Sequence, residues 1–252
     1  MSSPPLIELQ RITHRYGRHS APAVVDIDFR AARGERVAII GRSGCGKSTL
    51  LQILAGLVSP TVGAIRVATR PGSGKPIRRT LMFQRPLLFP WLNVEDNIAM
   101  ALRFDGRGHE ARSRVGELLA LVGLDGRGPS DVRELSGGQQ QRAALARSLA
   151  VDPDMLLLDE PFSALDPVTR GELRRELRDL QSRLGVALVL VTHDVDDALD
   201  LAERVVVMAA EPGCIVGEYV IPQAISEVER IALRARLIHA LEPEPISYAV
   251  GA

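Results

Sequence analysis

Residues 37–56 read VAIIGRSGCGKSTLLQILAG, and no other stretch constrains the fold of this chain as tightly. Val37–Ile40 is a short, continuously apolar run, as expected of a strand buried on both faces. Glycines at 41, 44 and 46 follow, and Ser48–Gly56 then sets Leu50, Leu51, Ile53 and Leu54 inward on a helix. Strand, loop and helix in immediate succession predict an α/β core.

The same grammar recurs downstream. Met155–Asp159, Val186–Thr192 and Val205–Met208 read as buried strands, with helices at Pro167–Leu184 and Val195–Ala202 between them, which argues a largely parallel sheet. Before the loop, Leu6–Ile12 alternates apolar and polar residues and Val24–Phe29 is rich in β-formers. The first thirty residues therefore suggest antiparallel strands around a turn at Tyr16–Pro22. Ile65–Val67 and Thr80–Phe83 are further strands, separated by the Gly/Pro-rich loop Arg70–Pro76. Between Val94 and Ala150 the period is helical, with Val94, Ile98, Ala101 and Leu102, then Val115, Leu118, Leu119 and Val122, so a helical lobe is inserted into the sheet. Near the end, Ser226 and Glu229 form a capping box opening a helix whose Val228, Ile231, Ala235 and Ile238 share a face, expected to pack on the sheet.

The loop GRSGCGKS carries the first chemistry. Gly41, Gly44 and Gly46 permit backbone conformations in which the amides of the loop, through Ser43 and Cys45, converge on phosphate oxygens. The helix start adds roughly half a positive charge. Lys47 should hold the β- and γ-phosphates, Ser48 should ligate Mg²⁺, and Thr49 should add a hydroxyl. Cys45 reads either as a thiol whose pKa the converging amides and Lys47 lower, or as a small spacer.

Asp159 and Glu160 end an apolar strand, at the sheet edge where open α/β folds bind ligands. Successive strand residues point opposite ways, so the two carboxylates serve one centre only if the chain bends at once, as Pro161 encourages. Asp159 would then orient Mg²⁺ through its water, and Glu160 would polarise the attacking water as general base. His193, after the strand Val186–Thr192, either bonds the γ-phosphate or is a hydrogen-bonded surface group. Gln84 either completes the Mg²⁺ and water shell or ends a strand; Tyr16 either stacks on adenine or packs.

The stretch ELSGGQQQRAALARSL at 134–149 raises a separate question. Ser136 suits a helix N-cap and Gly137 and Gly138 leave its amides uncovered, so with Gln139 this helix start reads as a second anion cradle. It lies on the inserted lobe, away from Lys47. A two-fold dimer in which each Ser136 loop closes over the partner's ATP accounts for both cradles; a capped helix with packing glycines is the plainer alternative.

The 31 basic residues balance 31 acidic ones and no like-charge block stands out, giving no footprint for nucleic acid. No apolar stretch approaches the ~20 residues of a membrane-spanning helix, and MSSPPLIELQ has no signal-peptide pattern. Cys45 and Cys214 form neither a metal pattern nor a disulfide framework, which agrees with a cytosolic location.

LSGGQ at 135–139 resembles the signature motif of ATP-binding cassette (ABC) proteins, and the ordered set of motifs is similar to that family's nucleotide-binding subunits. Tyr16 matches the adenine-stacking position, GRSGCGKS the phosphate loop, Gln84 the glutamine loop, and LLLDE the magnesium strand. Ser163 to Asp166 match the dimer-contact loop and His193 the switch histidine. The resemblance implies one P-loop ATPase domain over 6–240 with a mostly parallel sheet, an N-terminal antiparallel β subdomain and a helical subdomain near 86–150, then a tail at 241–252. It also implies ATP and Mg²⁺ as ligands. FQRPLLFPW at 83–91 resembles the corresponding stretch of nitrate, sulfonate and taurine import ATPases, with Phe89 in place of the usual second leucine.

That group implies a homodimer, peripheral on the cytoplasmic side of the inner membrane, that drives integral membrane permease subunits. Leu87–Trp91 would receive a short permease helix, and an extracytoplasmic solute-binding protein would act indirectly. A soluble cassette ATPase acting on DNA or ribosomes is the alternative, but the long coiled-coil or paired-cassette insertions and basic surfaces usual in such proteins are absent. A nucleotide-bound scaffold without turnover fits poorly with Glu160 and His193 both in place.

Overall fold

A computed structural model describes residues 5–17, 20–163, 165–222 and 224–242. Nine strands and seven α-helices are present among them: β1 Pro5–His14, β2 Val24–Ala32, β3 Arg36–Gly41, α1 Lys47–Ala55, β4 Val62–Val67, β5 Arg79–Met82, α2 Val94–Phe104, α3 Ala111–Leu121, α4 Gly137–Leu149, β6 Met155–Asp159, α5 Pro167–Leu184, β7 Ala187–Thr192, α6 Val195–Leu201, β8 Arg204–Ala209, β9 Cys214–Val220 and α7 Glu227–Leu241. β1 pairs antiparallel with both β2 and β4 to make a small sheet of order β2-β1-β4. The main sheet runs β5-β6-β7-β3-β8-β9 and is parallel except at β9.

Alternation in the buried strands sorts the core into two layers. Leu157 and Val189 face α1 and the small sheet, where they meet Ile7, Ile27, Leu50 and Leu54. Leu156, Leu158, Leu188 and Leu190 face the other way, onto Leu145 and Leu149 of α4 and Leu173 and Leu177 of α5. The lobe of α2, α3 and α4 is continuous with that second layer through Ile98, Leu102, Leu118 and Val122. Parallel register aligns the strand ends: Ile40 is opposite Thr192 and Asp159 opposite Val191. The residues after β3, β6 and β7 therefore emerge side by side, the arrangement that makes a ligand edge in α/β sheets. Among the described residues no helix is long and apolar enough to cross a membrane.

Two features depart from the sequence reading. The Ser226 capping box opens α7 as expected, with the serine accepting from the Glu229 amide and the Glu229 carboxylate accepting from the Ser226 amide. However, Val228, Ile231, Ala235 and Ile238 point outward, with Val228 77% exposed. Leu233 and Leu237 instead pack on Ala198, Val205 and Val207. The helix carries two apolar stripes, and the i, i+4 leucine pair is the one that the β8–α6 surface covers. Second, β9 was not anticipated; it is an antiparallel edge strand whose residues are nowhere fully buried, so no continuous apolar run marks it. Of the expected tail, Leu241 ends α7 and residues 243–252 lie outside the described residues.

Candidate nucleotide site

Gly46 caps α1 at φ 89° and has no side chain to cover the first-turn amides, so these face the open loop. Gly44, at φ 82°, turns the loop tip, and Ser43 beside it is exposed. The Lys47 ammonium donates to the carbonyls of Gly41 at 2.7 Å and Arg42 at 3.0 Å, so the cation is held at the loop from within. Cys45 is fully buried, and a Cβ on Gly41 would collide with its Sγ; the thiol fills the space beneath the loop. Burial pushes that thiol up, outweighing the Lys47 ammonium 3.8 Å away, which corrects the expectation of a lowered pKa. A Cβ on Gly46 would lie 2.7 Å from the Ala23 carbonyl, which is backbone and cannot yield. Gly46→Ala is therefore expected to destabilise the chain by about 1–3 kcal/mol and to weaken ATP binding at least tenfold, measurable by thermal unfolding and titration calorimetry.

Ser48 Oγ donates to Asp159 Oδ1 at 3.2 Å. Burial raises the Asp159 pKa, a shift opposed by that hydroxyl. At Glu160 the backbone leaves the strand region, with φ 44°, while its amide still donates to the Val191 carbonyl at 2.9 Å. This is the immediate bend that two adjacent carboxylates need. Glu160 Oε2 accepts from Gln84 Nε2 at 3.1 Å, and Oε1 lies 3.3 Å from His193 Nδ1. Gln84 Nε2 is also 3.3 Å from Ser163 Oγ. Groups following β5, β6 and β7 thus meet on one carboxylate. Ser48 and Asp159 offer hard oxygen ligands, and no cluster of three or more His, Cys, Asp or Glu forms among the described residues. That donor set suits Mg²⁺, which typically takes one or two carboxylates plus substrate phosphates.

Tyr16 is 64% exposed; its hydroxyl meets Thr49 Oγ1 at 3.1 Å and donates to Gln52 Oε1 at 3.3 Å. The buried His14, which the sequence did not single out, stands edge-on to it with ring centroids 4.8 Å apart. The ring is anchored through its hydroxyl, and most of its area is open to solvent.

Ser136 caps α4 by accepting from the Gln139 amide, and the Gln139 side chain accepts from the Ser136 amide. A Cβ on Gly138 would meet Thr169 of α5 at 2.7 Å, whereas Gly137 has open space. Hydrogen bonds and ion pairs among the described residues join Lys47, Ser48, Asp159, Glu160, Gln84 and His193 to one another or to the adjoining loop, but none joins Ser136–Gln139 to Gly41–Thr49. Asp166 caps α5 and accepts from the Val168 and Thr169 amides; Ala164 of the same loop lies outside the described residues.

Several positioning groups were invisible to local pattern. Asn97, fully buried, accepts from the Phe89 amide at 2.7 Å and donates to the carbonyls of Phe89, Leu92 and Asn93. Arg147 donates to the carbonyls of Pro86 and Leu87, each at 2.7 Å. These contacts display Leu87 and Trp91, the latter 74% exposed, while Phe89 is half-buried against Trp91 rather than exposed beside it.

Behind His193, Asp194 accepts from Arg170 at 2.8 Å and Asp197 from Thr192 at 3.2 Å. Burial, reinforced by Asp194, pushes the Asp197 carboxyl up to about 6 against the opposing pull of Arg174 and Arg170. A carboxyl with a raised folded pKa contributes stability below its unfolded value, near 4, and loses that contribution as pH rises through about 6. Asp197→Asn should flatten this fall. Thermal midpoints measured from pH 4 to 8 should show the variant gaining on the parent by on the order of 2 kcal/mol at the alkaline end.

A parallel sheet whose inner strand feeds a glycine loop and helix, with an acidic pair ending a nearby strand and a helical lobe carrying its own capped start, defines a P-loop ATPase of the cassette type. The model of the family described as ABC transporter matches residues 24–163, and the chain belongs to that family. It is an ABC ATPase. It is 44% identical over 213 residues to the taurine import ATP-binding protein TauB of Mesorhizobium japonicum, covering 84% of this chain and 83% of that protein. It is 48% identical over 214 residues to the sulfate/thiosulfate import ATP-binding protein CysA 2 of Chromobacterium violaceum, covering 81% of this chain and 56% of that one. Among solved structures it resembles the ATP-binding cassette MJ0796, captured as a dimer in a post-hydrolysis state with ADP and Pi. The TM-score is 0.75 at 30% identity, covering 86% of this chain and all of that one.

Proposed function

We propose that this chain is the ATP-hydrolysing subunit of an importer, working as a homodimer on integral membrane permease subunits at the cytoplasmic side of the inner membrane. The observation that carries this reading is the division of the site. Lys47, Ser48, Asp159, Glu160, Gln84 and His193 gather at one sheet edge, while among the described residues no hydrogen bond or ion pair joins Ser136–Gln139 to any of them.

In this reading Lys47 and the amides of Gly41–Thr49 hold the phosphates, Tyr16 stacks on adenine, and the partner's Ser136, Gly137, Gly138 and Gln139 close over the γ-phosphate. Ser48, Asp159 and Gln84 would hold Mg²⁺, which would supply positive charge against the negative charge that develops on the transferring phosphoryl group. Glu160 takes the proton of the attacking water, and Gln84 and His193 fix that water and the carboxylate in line. Closure on ATP and release after hydrolysis then work the permease through Leu87–Trp91. Relatives named for taurine and for sulfate/thiosulfate import support a small solute carrying a sulfonate or oxyanion group, such as taurine or another sulfonate; nitrate is of the same class, and an extracytoplasmic binding protein would deliver the solute to the permease.

Mild detergent extraction of the membrane is the test. The chain should co-purify with a hydrophobic permease subunit, and its phosphate release should rise when solute-loaded binding protein is added. Recovery free of any membrane subunit, with hydrolysis indifferent to solute, would sink the importer reading.

A further inference from the structure

Three consecutive glutamines follow the signature glycines, and they do different things. Gln139 closes the capping box, and Gln140 donates to the carbonyls of Val132 and Leu135, binding the turn before α4 to the helix. Gln141 is buried and reaches 57 residues back, its Nε2 donating to the main-chain carbonyl of Gln84 at 3.1 Å. Among the described residues its Oε1 is buried with no protein partner, and Gln141 lines a cavity of about 10 Å³ with Leu145, Leu158, Phe162 and Leu173. A leucine or methionine would suit such apolar surroundings better than half a satisfied amide. A buried polar group that stability does not favour is explained by the one bond it makes.

That bond has a particular place. Gln84 is fastened by its main chain to α4 of the lobe and by its side chain to Glu160 of the sheet. Gln141 lies five residues along the helix that Ser136 caps. We propose that Gln141 is a positioning residue: it ties the Gln84 backbone to the signature helix, so that engagement of Ser136 by a partner's nucleotide sets the position of the Gln84 carboxamide on Glu160. The inference rests on the proposed function, in which α4 takes up load at its N-terminus when ATP binds. Arg147 and Asn97 hold Pro86–Asn93 to the same lobe, so Trp91, the sole tryptophan, moves with α4 and reports its displacement.

The experiment compares the parent chain, Gln141→Met, Gln84→Ala and the double variant, with Gln141→Leu as a second apolar replacement. The readouts are thermal midpoint, ATP hydrolysis and the change in Trp91 emission on adding ATP. Gln141→Met should keep or raise the midpoint and leave KM for ATP within about twofold, while lowering kcat about tenfold and blunting the Trp91 response. In the Gln84→Ala background it should lower kcat no further, because both changes break one connection. Parental kcat and Trp91 response in both apolar variants, equal losses in the two backgrounds, or a loss that appears only with a lowered midpoint would overturn it. An inactive parent chain overturns the reading of the site and this inference with it, whereas an active parent with unaffected variants overturns the inference alone.

Discussion

Glu160→Gln is expected to bind ATP as tightly as the parent chain and to hydrolyse it about 10²–10⁴-fold more slowly, the usual share of a general base. The substitution is nearly isosteric. One carboxylate oxygen accepts from Gln84 Nε2 at 3.1 Å and the other lies 3.3 Å from His193 Nδ1. A carboxamide keeps an acceptor for Gln84 and offers a donor to the imidazole, so the cluster persists while the basic oxygen that takes the proton of water is lost. The phosphates are the business of Lys47 and the loop amides, which the change does not touch. Phosphate release and equilibrium nucleotide binding, measured on the same preparation, separate the two. Hydrolysis within about threefold of the parent rate would remove Glu160 from the role of base, since loss of a true general base costs at least a hundredfold.

Elements that local chemistry writes twice were legible in the sequence. The helix predicted at Pro167–Leu184 is observed with those bounds because Asp166 caps it, accepting from the Val168 and Thr169 amides, and Gly185 stops it at φ 63°. The loop at 41–48 was legible for a similar reason: the glycines, the lysine and the flanking apolar runs each demand the same turn. Where two apolar stripes share one helix, as on α7, periodicity names both and cannot choose between them. The choice between Leu233 and Leu237 on one side and Val228 and Ile231 on the other is made by β8 and α6. For Cys45 the sequence left a lowered pKa and a small spacer both open, because the thiol's pKa depends on how much protein covers it and the neighbouring lysine is only the second influence. Gln141, Arg147 and Asn97 were missed for another reason. Each acts on main-chain carbonyls, which every residue offers, and two of them reach across about sixty residues of sequence.

The Ser136 cradle offers the sharpest prediction about assembly. Ser136→Glu removes the hydroxyl that accepts from the Gln139 amide but sets a carboxylate at the same helix N-terminus, where negative charge is favourable, so α4 and the fold should hold, with a thermal midpoint no lower than about 5 °C below the parent. The same carboxylate occupies the place proposed for the partner's γ-phosphate and repels it. Each charge-assisted hydrogen bond lost there is worth roughly 1.5–3 kcal/mol, so losing two should lower hydrolysis by at least about a hundredfold. In the Glu160→Gln background, where slowed hydrolysis should leave ATP in place, the same change should also abolish any ATP-dependent dimer, as read by size-exclusion chromatography.

A site completed across a two-fold axis makes one further demand that a site within a single chain does not. Ser136→Glu chains keep Lys47, and Lys47→Ala chains keep Ser136, so a mixed dimer contains one whole site and one doubly damaged one. Mixing two nearly inactive preparations should therefore restore a measurable fraction of hydrolysis. If both variants fold and no mixture recovers activity, each chain completes its own nucleotide shell and the proposed division of the site is wrong.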